Sequence, residues 1–354
     1  LAPPAADGVL ALAVAGRALA RQPLDGPRIA PHACVRIMTG AQMPAGSDTV
    51  IPQEKVDATG DVVRFPAAAV ARGEHCRHAG EDLARGARAL AAGRVVRAAD
   101  LGLLASLGIA EVAVRRRVRV AFFSTGDELQ TPGEPPREGG LYDSNRATLA
   151  GMLARIGVET LDLGIVRDDP AALEGALTTA AAQADAVITS GGVSVGDADF
   201  TRALLATLGD VTFASVAMRP GRPLACGRIR ASGREERPAL FFGLPGNPVA
   251  VAATFIVIVR DALFAMMGAE AQPLPRYPAV CDAPINKRAG RTEYLRGRAA
   301  RDASGVWRVV PAGSQSSASL KSLSDANCFI VLAHDAARVD AGTTVDILPF
   351  DGAI

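Results

Sequence analysis

The segment Thr189-Ser-Gly-Gly-Val-Ser-Val-Gly-Asp-Ala-Asp199 follows a short apolar run and opens an amphipathic one. A loop at such a junction turns unpaired backbone N–H groups and the positive end of a helix toward an anion. Gly191, Gly192 and Gly196 let a phosphate approach the backbone, and Ser190 and Ser194 add hydroxyls. Together with two carboxylates they favour a phosphate-bearing ligand over a βα turn that merely needs flexible residues. Gly243-Leu-Pro-Gly-Asn-Pro248 is a second strand-to-helix junction. Pro245 and Pro248 stiffen it around Gly246 and Asn247, so it can hold a ligand with little ordering cost; a purely structural proline turn is the competing reading.

Carboxylates recur at the ends of the same units, as Asp127 and Glu128, Asp168 and Asp169, Asp197 and Asp199. In open α/β sheets these strand ends line the ligand crevice. Two carboxylates 4 Å apart repel by about 4 kcal/mol at an effective dielectric near 20, so a converging set calls for a cation. Oxygen-only ligands beside a phosphorylated substrate imply Mg²⁺, whereas any single Asp could instead be a helix cap. Met218-Arg-Pro-Gly-Arg-Pro223 sets Arg219 and Arg222 on a rigid turn suited to oxyanions. His75, Cys76 and His78 form a superficially metal-like cluster whose spacing matches no standard zinc pattern. His32 and His334 sit in segments without a nucleophile elbow, so Ser-His-Asp chemistry has no support.

The elements that must position these residues follow from the apolar periodicity. Up to residue 86, short Val/Ile/Ala runs alternate with Gly, Pro and Asp, which predicts a small β-rich domain. Between 87 and 117, Asp100 precedes Leu101, Leu104, Ala105 and Leu107, with Gly108 as a stop, which predicts a connector helix. From 118 to 268, apolar strands alternate with amphipathic helices, the α/β signature. Strands are expected at 118–123, 161–166, 186–189, 211–217, 224–229 and 239–243. Helical stripes end at Gly157 and Gly209, and Pro248 opens a long apolar helix reaching about Gly268. From 269 to 354 the pattern is strand-like, a carboxy-terminal β domain.

Composition narrows the function classes. With 38 Lys+Arg against 37 Asp+Glu the formal charge is +1, which supplies no global field toward nucleic acid or an anionic membrane. The most apolar stretch, 249–267, is interrupted by Arg260 and Asp261, so no membrane span is expected. Five scattered cysteines without a CxxC pair point to a reducing, cytoplasmic setting, and no leader-like segment precedes the domain material.

Taken together the motifs resemble the molybdopterin molybdenumtransferase family, the MoeA-type enzymes also represented in the carboxy-terminal part of gephyrin. The resemblance rests on Val35-Arg-Ile-Met-Thr-Gly-Ala41 with Pro44, Gly46 and Asp48, on Gly80-Glu-Asp82, Ser124-Thr-Gly-Asp-Glu-Leu129 and Asp143-Ser-Asn145. It continues through Val166-Arg-Asp-Asp-Pro170, the two loops above, the Arg219–Pro223 turn and Asn327-Cys-Phe-Ile-Val-Leu332. It implies a multidomain α/β and β fold: a central three-layer α/β/α molybdopterin-binding domain flanked by the β-rich domain and the carboxy-terminal β domain. It implies insertion of molybdate into adenylylated molybdopterin with Mg²⁺-dependent release of AMP, in a cytoplasmic homodimer. Hand-over contacts with the adenylyltransferase and with molybdoenzyme maturation proteins are implied too.

Position by position, the resemblance makes Thr39, Arg77, Asp82, Glu128, Asp168, Asp199, Pro245 and Pro248 counterparts of functional residues, with Glu128, Asp168 and Asp199 toward the metal. Three departures stand out. The family's Ser-Ala-Met-Asp-Gly-Tyr-Ala arm is not found, arginines replace the lysines of its Lys-Pro-Gly-Lys turn, and Ser215 stands at a nearby basic position. The alternatives are an adenylyltransferase-like enzyme and a non-catalytic pterin-binding scaffold.

Overall fold

The computed structural model describes residues 8–22, 24, 28–192, 198–231, 237–270 and 272–351, excluding the side chains of 198 and 199. The chain forms two compact units, Leu1–Ala89 and Leu90–Ile354. In the first unit, β1 (Val9–Ala18), β2 (Ala33–Ile37), β3 (Asp57–Thr59) and β4 (Val62–Pro66) make one sheet in the order β2-β1-β4-β3. Period-two alternation on β1 buries Leu10 and Leu12 against Phe65, while Ala11 and Ala13 face out.

The second unit opens with α1 (Ala98–Ser106). Asp100, almost fully buried, accepts hydrogen bonds from the Arg97 N–H at 2.9 Å and from Arg94 Nε at 3.0 Å, and these contacts hold its carboxyl below the usual range, Arg94 first. A depressed carboxylate pKa contributes stability that is present above the unfolded value, about 3.9, and is lost as pH falls through the folded value. Asp100→Asn should therefore lower the thermal midpoint at neutral pH, and calorimetry should show the gap closing in acid. An equal gap at both pH values would remove the charge from the explanation.

The α/β part contributes β5 (Arg119–Thr125), β6 (Leu129–Gln130), β7 (Leu141–Tyr142), α2 (Ser144–Ile156), β8 (Glu159–Val166), α3 (Pro170–Gln183), β9 (Ala186–Ser190) and α4 (Ala198–Leu208). It continues with β10 (Gly209–Ser215), β11 (Met218–Arg219), β12 (Pro223–Ile229), β13 (Ala239–Leu244) and a helix from Pro248 to Met266. The sheet order is β10-β12-β13-β9-β5-β8, with β13, β9, β5 and β8 parallel and β10 and β12 antiparallel. Alternate residues of β5 go to opposite cores: Val120 and Phe122 meet α2 and the long helix, Ala121 and Phe123 meet α3 and α4. Three layers result.

The helix α4 ends at Leu208, as the Gly209 stop predicts, and Gly209 is also the first residue of β10, where a Cβ would lie 2.0 Å from the Arg228 carbonyl of the paired strand. The apolar helix, 19 residues with mean hydropathy 2.1, is long and apolar enough by composition to cross a membrane. It is a core helix: Val249, Val251, Phe255, Ile256 and Val259 are fully buried against the sheet. Arg260 is accommodated by Asp261, the Gln272 carbonyl and the Phe264 ring.

The carboxy-terminal part adds β14 (Tyr277–Cys281), β15 (Ile285–Asn286), β16 (Thr292–Arg301), β17 (Trp307–Pro311), a short helix Leu320–Asp325, β18 (Cys328–Leu332), β19 (Arg338–Val339) and β20 (Thr344–Pro349). The pairings β16-β17-β14-β20-β18 return to β16, so five strands close on themselves around Cys281, Val309, Ile330 and Ile347. β11 adds to this sheet, Arg219 opposite Glu293. The arginine turn of the α/β part is thereby fixed to the closed sheet.

Candidate functional site

The amino terminus of α2 ties the ends of three parallel strands. Asp143 caps the helix by accepting from the Arg146 N–H and takes the Ser124 hydroxyl at 3.0 Å from β5. Asn145 Nδ2 donates to Ser190 Oγ at 2.8 Å, on the last residue of β9, and to the Gly246 carbonyl at 2.7 Å, after β13. The Gly191 N–H donates to the Leu244 carbonyl. The glycine loop and the proline loop are thus held side by side, and Gly191, at φ +97°, has the Thr125 carbonyl 2.5 Å from where a Cβ would sit. Ser194 and Gly196, with Asp197, lie outside the described residues, as does the side chain of Asp199.

The carboxylates divide. Asp169 is a helix cap, its side chain accepting from the Ala171 and Ala172 N–H groups, which is the alternative weighed for every such Asp. Asp168 is exposed, accepts from the Thr125 hydroxyl, and its N–H donates to Asp127 Oδ1 at 3.3 Å. Glu128 is exposed and folds over Gly126, where a Cβ would stand 2.6 Å from its Oε2. Among the described residues no three His, Cys, Asp or Glu side chains gather as a metal set. The oxygen-only donors Glu128 and Asp168 fit a hard cation such as Mg²⁺.

In the first unit, Thr39 lies exposed in the turn after β2, and Arg77 and Asp82 lie exposed in the loop after Cys76. The Glu81 carboxylate staples that loop by accepting from the His78 N–H. Cys76 packs its thiol on the Asp48 carbonyl and the Met43 sulfur.

A cavity of about 490 Å³ lies where Arg219 and Arg222 on their turn, Pro245, Gly246 and Asn247 on the proline loop, and β16 meet. Pro248 opens the helix behind it. Arg222 Nε donates to Ser215 Oγ at 2.9 Å, so the serine at the family's basic position orients the neighbouring guanidinium. Asn247 makes no side-chain cap for its helix, which leaves the amide to the cavity.

Sequence reasoning missed the most buried charge here. Arg296, 1% exposed, lines the cavity and donates to Ser322 Oγ, the Ser314 carbonyl and the Ser316 carbonyl, with no carboxylate partner among the described residues. Burial first, and Arg219 second, push its pKa down to about 10, so it stays charged at neutral pH and faces like charge. Burying a guanidinium without a counter-anion is costly, and the three acceptors offset that cost only in part. The available signal was an arginine in an inward register of a strand.

The chain is similar to proteins of known family. Residues 121–265 match a family model described as a probable molybdopterin binding domain, residues 5–108 the MoeA N-terminal region (domain I and II), and residues 278–350 the MoeA C-terminal region (domain IV). A molybdopterin molybdenumtransferase of Haemophilus influenzae is 39% identical over 343 residues, 97% of this chain and 83% of that one. Molybdopterin molybdenumtransferase 2 of Mycobacterium tuberculosis is 35% identical over 88% of this chain and 76% of its own. The crystal structure of the molybdopterin biosynthesis MoeA protein of Pyrococcus horikoshii superposes with a TM-score of 0.75 at 26% identity, covering 96% and 81% of the two chains.

Proposed function

The chain belongs to the molybdopterin molybdenumtransferase (MoeA) family of transferases, and we propose that its reaction is insertion of molybdate into adenylylated molybdopterin with release of AMP. The observation that carries the reading is Arg296, a buried cation without a counter-anion at the wall of a cavity shared with Arg219 and Arg222. A tetrahedral oxyanion such as molybdate answers that deficit.

In this reading the backbone around Gly191 and Gly192 holds the pterin phosphate, while the buried Ser190 hydroxyl, engaged by Asn145 and the Pro245 carbonyl, positions that backbone; Asn247 and Gly246 border the phosphate, and Arg296 holds molybdate at the inner wall. Arg219 and Arg222 offset the charge that develops as AMP leaves. Glu128, Asp168 and Asp199 would hold Mg²⁺, which when bound supplies charge neutralisation on the phosphoanhydride. Asp168 orients water through the carboxylate oxygen not engaged by Thr125. Thr39, Arg77 and Asp82 keep, in this proposal, the functional roles that the family resemblance gives them. The match to amino- and carboxy-terminal MoeA regions favours the transferase over an adenylyltransferase-like enzyme.

The division at residues 86, 117 and 268, the cytoplasmic setting, the homodimer and the hand-over contacts belong to the same proposal. Support for the dimer comes from the apolar side chains around α1, where Leu101 is 60% and Val114 70% exposed, with Leu107, Ile109 and Val112 beside them.

The test is AMP release from adenylylated molybdopterin with molybdate and Mg²⁺. Glu128→Gln and Asp168→Asn should each slow it by about 100-fold, the scale of ~3 kcal/mol in the transition state, with little change in substrate affinity. A folded variant releasing AMP at the parent rate would return that carboxylate to a structural role.

A further inference from the structure

The segment Thr131-Pro-Gly-Glu-Pro-Pro-Arg-Glu-Gly-Gly140 leaves β6 just after Glu128 and returns as β7. Every backbone carbonyl from Asp127 to Gln130 is held by this return path. Arg137 Nη2 donates to the carbonyls of Asp127 and Leu129, the latter at 3.1 Å, while the Leu141 N–H donates to that of Glu128 at 2.8 Å and the Asp143 N–H to that of Gln130 at 3.0 Å. One guanidinium nitrogen thus brackets Glu128 from both sides. None of these bonds uses the Glu128 carboxylate.

The strap that delivers the arginine is itself closed. Gln130 is buried, and its amide donates to the Pro135 carbonyl at 3.1 Å and accepts from the Arg137 N–H at 3.2 Å. The Tyr142 hydroxyl donates to the Glu134 carbonyl at 2.8 Å, the Glu134 carboxylate accepts from the Thr131 N–H at 3.2 Å, and Pro132, Pro135 and Pro136 restrict the chain between them. Gly140 backs the arginine stem: a Cβ there would stand 2.7 Å from Arg137 Cγ and would collide with Gln130 Oε1. On the other side, Asp127 Oδ1 accepts from the Asp168 N–H at 3.3 Å, so the clamped stretch also reaches Asp168.

We propose that Arg137 is a positioning residue for Glu128, acting through the backbone on both sides of it. The inference rests on the role proposed above for Glu128 and Asp168. A glutamate carboxylate stands at the end of a flexible side chain, so its place in an exposed loop is defined only when its own backbone is fixed. A displacement of about 1 Å in such a group costs on the order of 100-fold in rate, so a surface arginine that touches no substrate can still set turnover. The clamp leaves the carboxylate free to act and fixes where it acts from.

The experiment reads hydrogen exchange of the Leu129 and Leu141 amides in the free full chain, together with kcat and KM for AMP release. Arg137→Ala should speed exchange at both amides by about tenfold and lower kcat by about tenfold, with KM within about twofold of the parent. Arg137→Lys keeps a cation with several donors and should return both readings to within about threefold of the parent. Gly140→Ala keeps the arginine but displaces its stem, and should repeat the Arg137→Ala result. Arg155→Ala, an equal charge change on the exposed last turn of α2, should leave both readings within about twofold. Parent exchange in Arg137→Ala, a rise in KM at constant kcat, or an equal loss in Arg155→Ala would overturn the assignment. If Arg137→Ala and Gly140→Ala speed exchange as stated but the parent chain releases no AMP, the clamp stands and the reaction falls. If the parent releases AMP and Arg137→Ala releases it at the same rate, the reaction stands and the positioning role falls.

Discussion

Arg296→Gln is expected to abolish molybdate binding while the closed β sheet stays folded. The guanidinium lies in the wall of the cavity with two nitrogens engaged by a hydroxyl and two carbonyls, and among the described residues no carboxylate neutralises it. An oxyanion accepting two charge-assisted hydrogen bonds from such a group gains ~1.5–3 kcal/mol from each, so their loss weakens binding by roughly 100-fold or more. Arg296→Lys keeps the charge and loses the planar fork, and should recover part of the affinity. Because burial and Arg219 bring the pKa only to about 10, molybdate affinity should be level through neutral pH and fall as pH rises toward that value. Titration with molybdate, with circular dichroism to confirm folding, is the measurement. A folded Gln variant with parent affinity would move the oxyanion elsewhere.

Gly191→Ala should cost more than Gly192→Ala, its neighbour in the glycine loop. At φ +97° an alanine is strained, and its Cβ would meet the Thr125 carbonyl at 2.5 Å, a backbone atom of β5 that cannot swing away. Gly192, at φ +68°, would meet only the Thr125 Cγ2 methyl at 3.1 Å, a side chain that can yield. Denaturant unfolding should show a loss of ~2–3 kcal/mol for Gly191→Ala and about 1 for Gly192→Ala. Molybdopterin affinity should fall by at least an order of magnitude in the first, because displacing Gly191 also breaks its hydrogen bond to Leu244 and the alignment of Ser190 with Asn145. Equal stability of the two variants would show that the loop is not confined as described.

Much of the α/β part was legible. Gly157 and Pro248 punctuate helices at the expected places, and β5, β9 and β13 lie within two residues of the apolar runs that predicted them. Local chemistry decides such features, through the turn a glycine permits and the hydrogen bond a proline forgoes. Asp169 shows where that reasoning stops. From sequence Asp168 and Asp169 were alike, and only the direction of the chain into α3 made one a cap and left the other at the crevice.

The sequence by itself determined the family, the order of strands and helices, and the two glycine- and proline-bearing strand-to-helix loops, because each is written in contiguous residues with characteristic spacing. Tertiary structure alone decided which charges share a cavity. Arg219 and Arg296 are far apart in the chain, yet β11 pairing with β16 brings both into one wall, and the segment carrying Ser314, Ser316 and Ser322 packs on Arg296 with hydroxyl and carbonyl groups and, among the described residues, no carboxylate. Strand pairing between distant segments is a property of the whole fold. A local pattern records that Arg296 lies in a strand, but its unneutralised charge is set by the groups that folding packs around it.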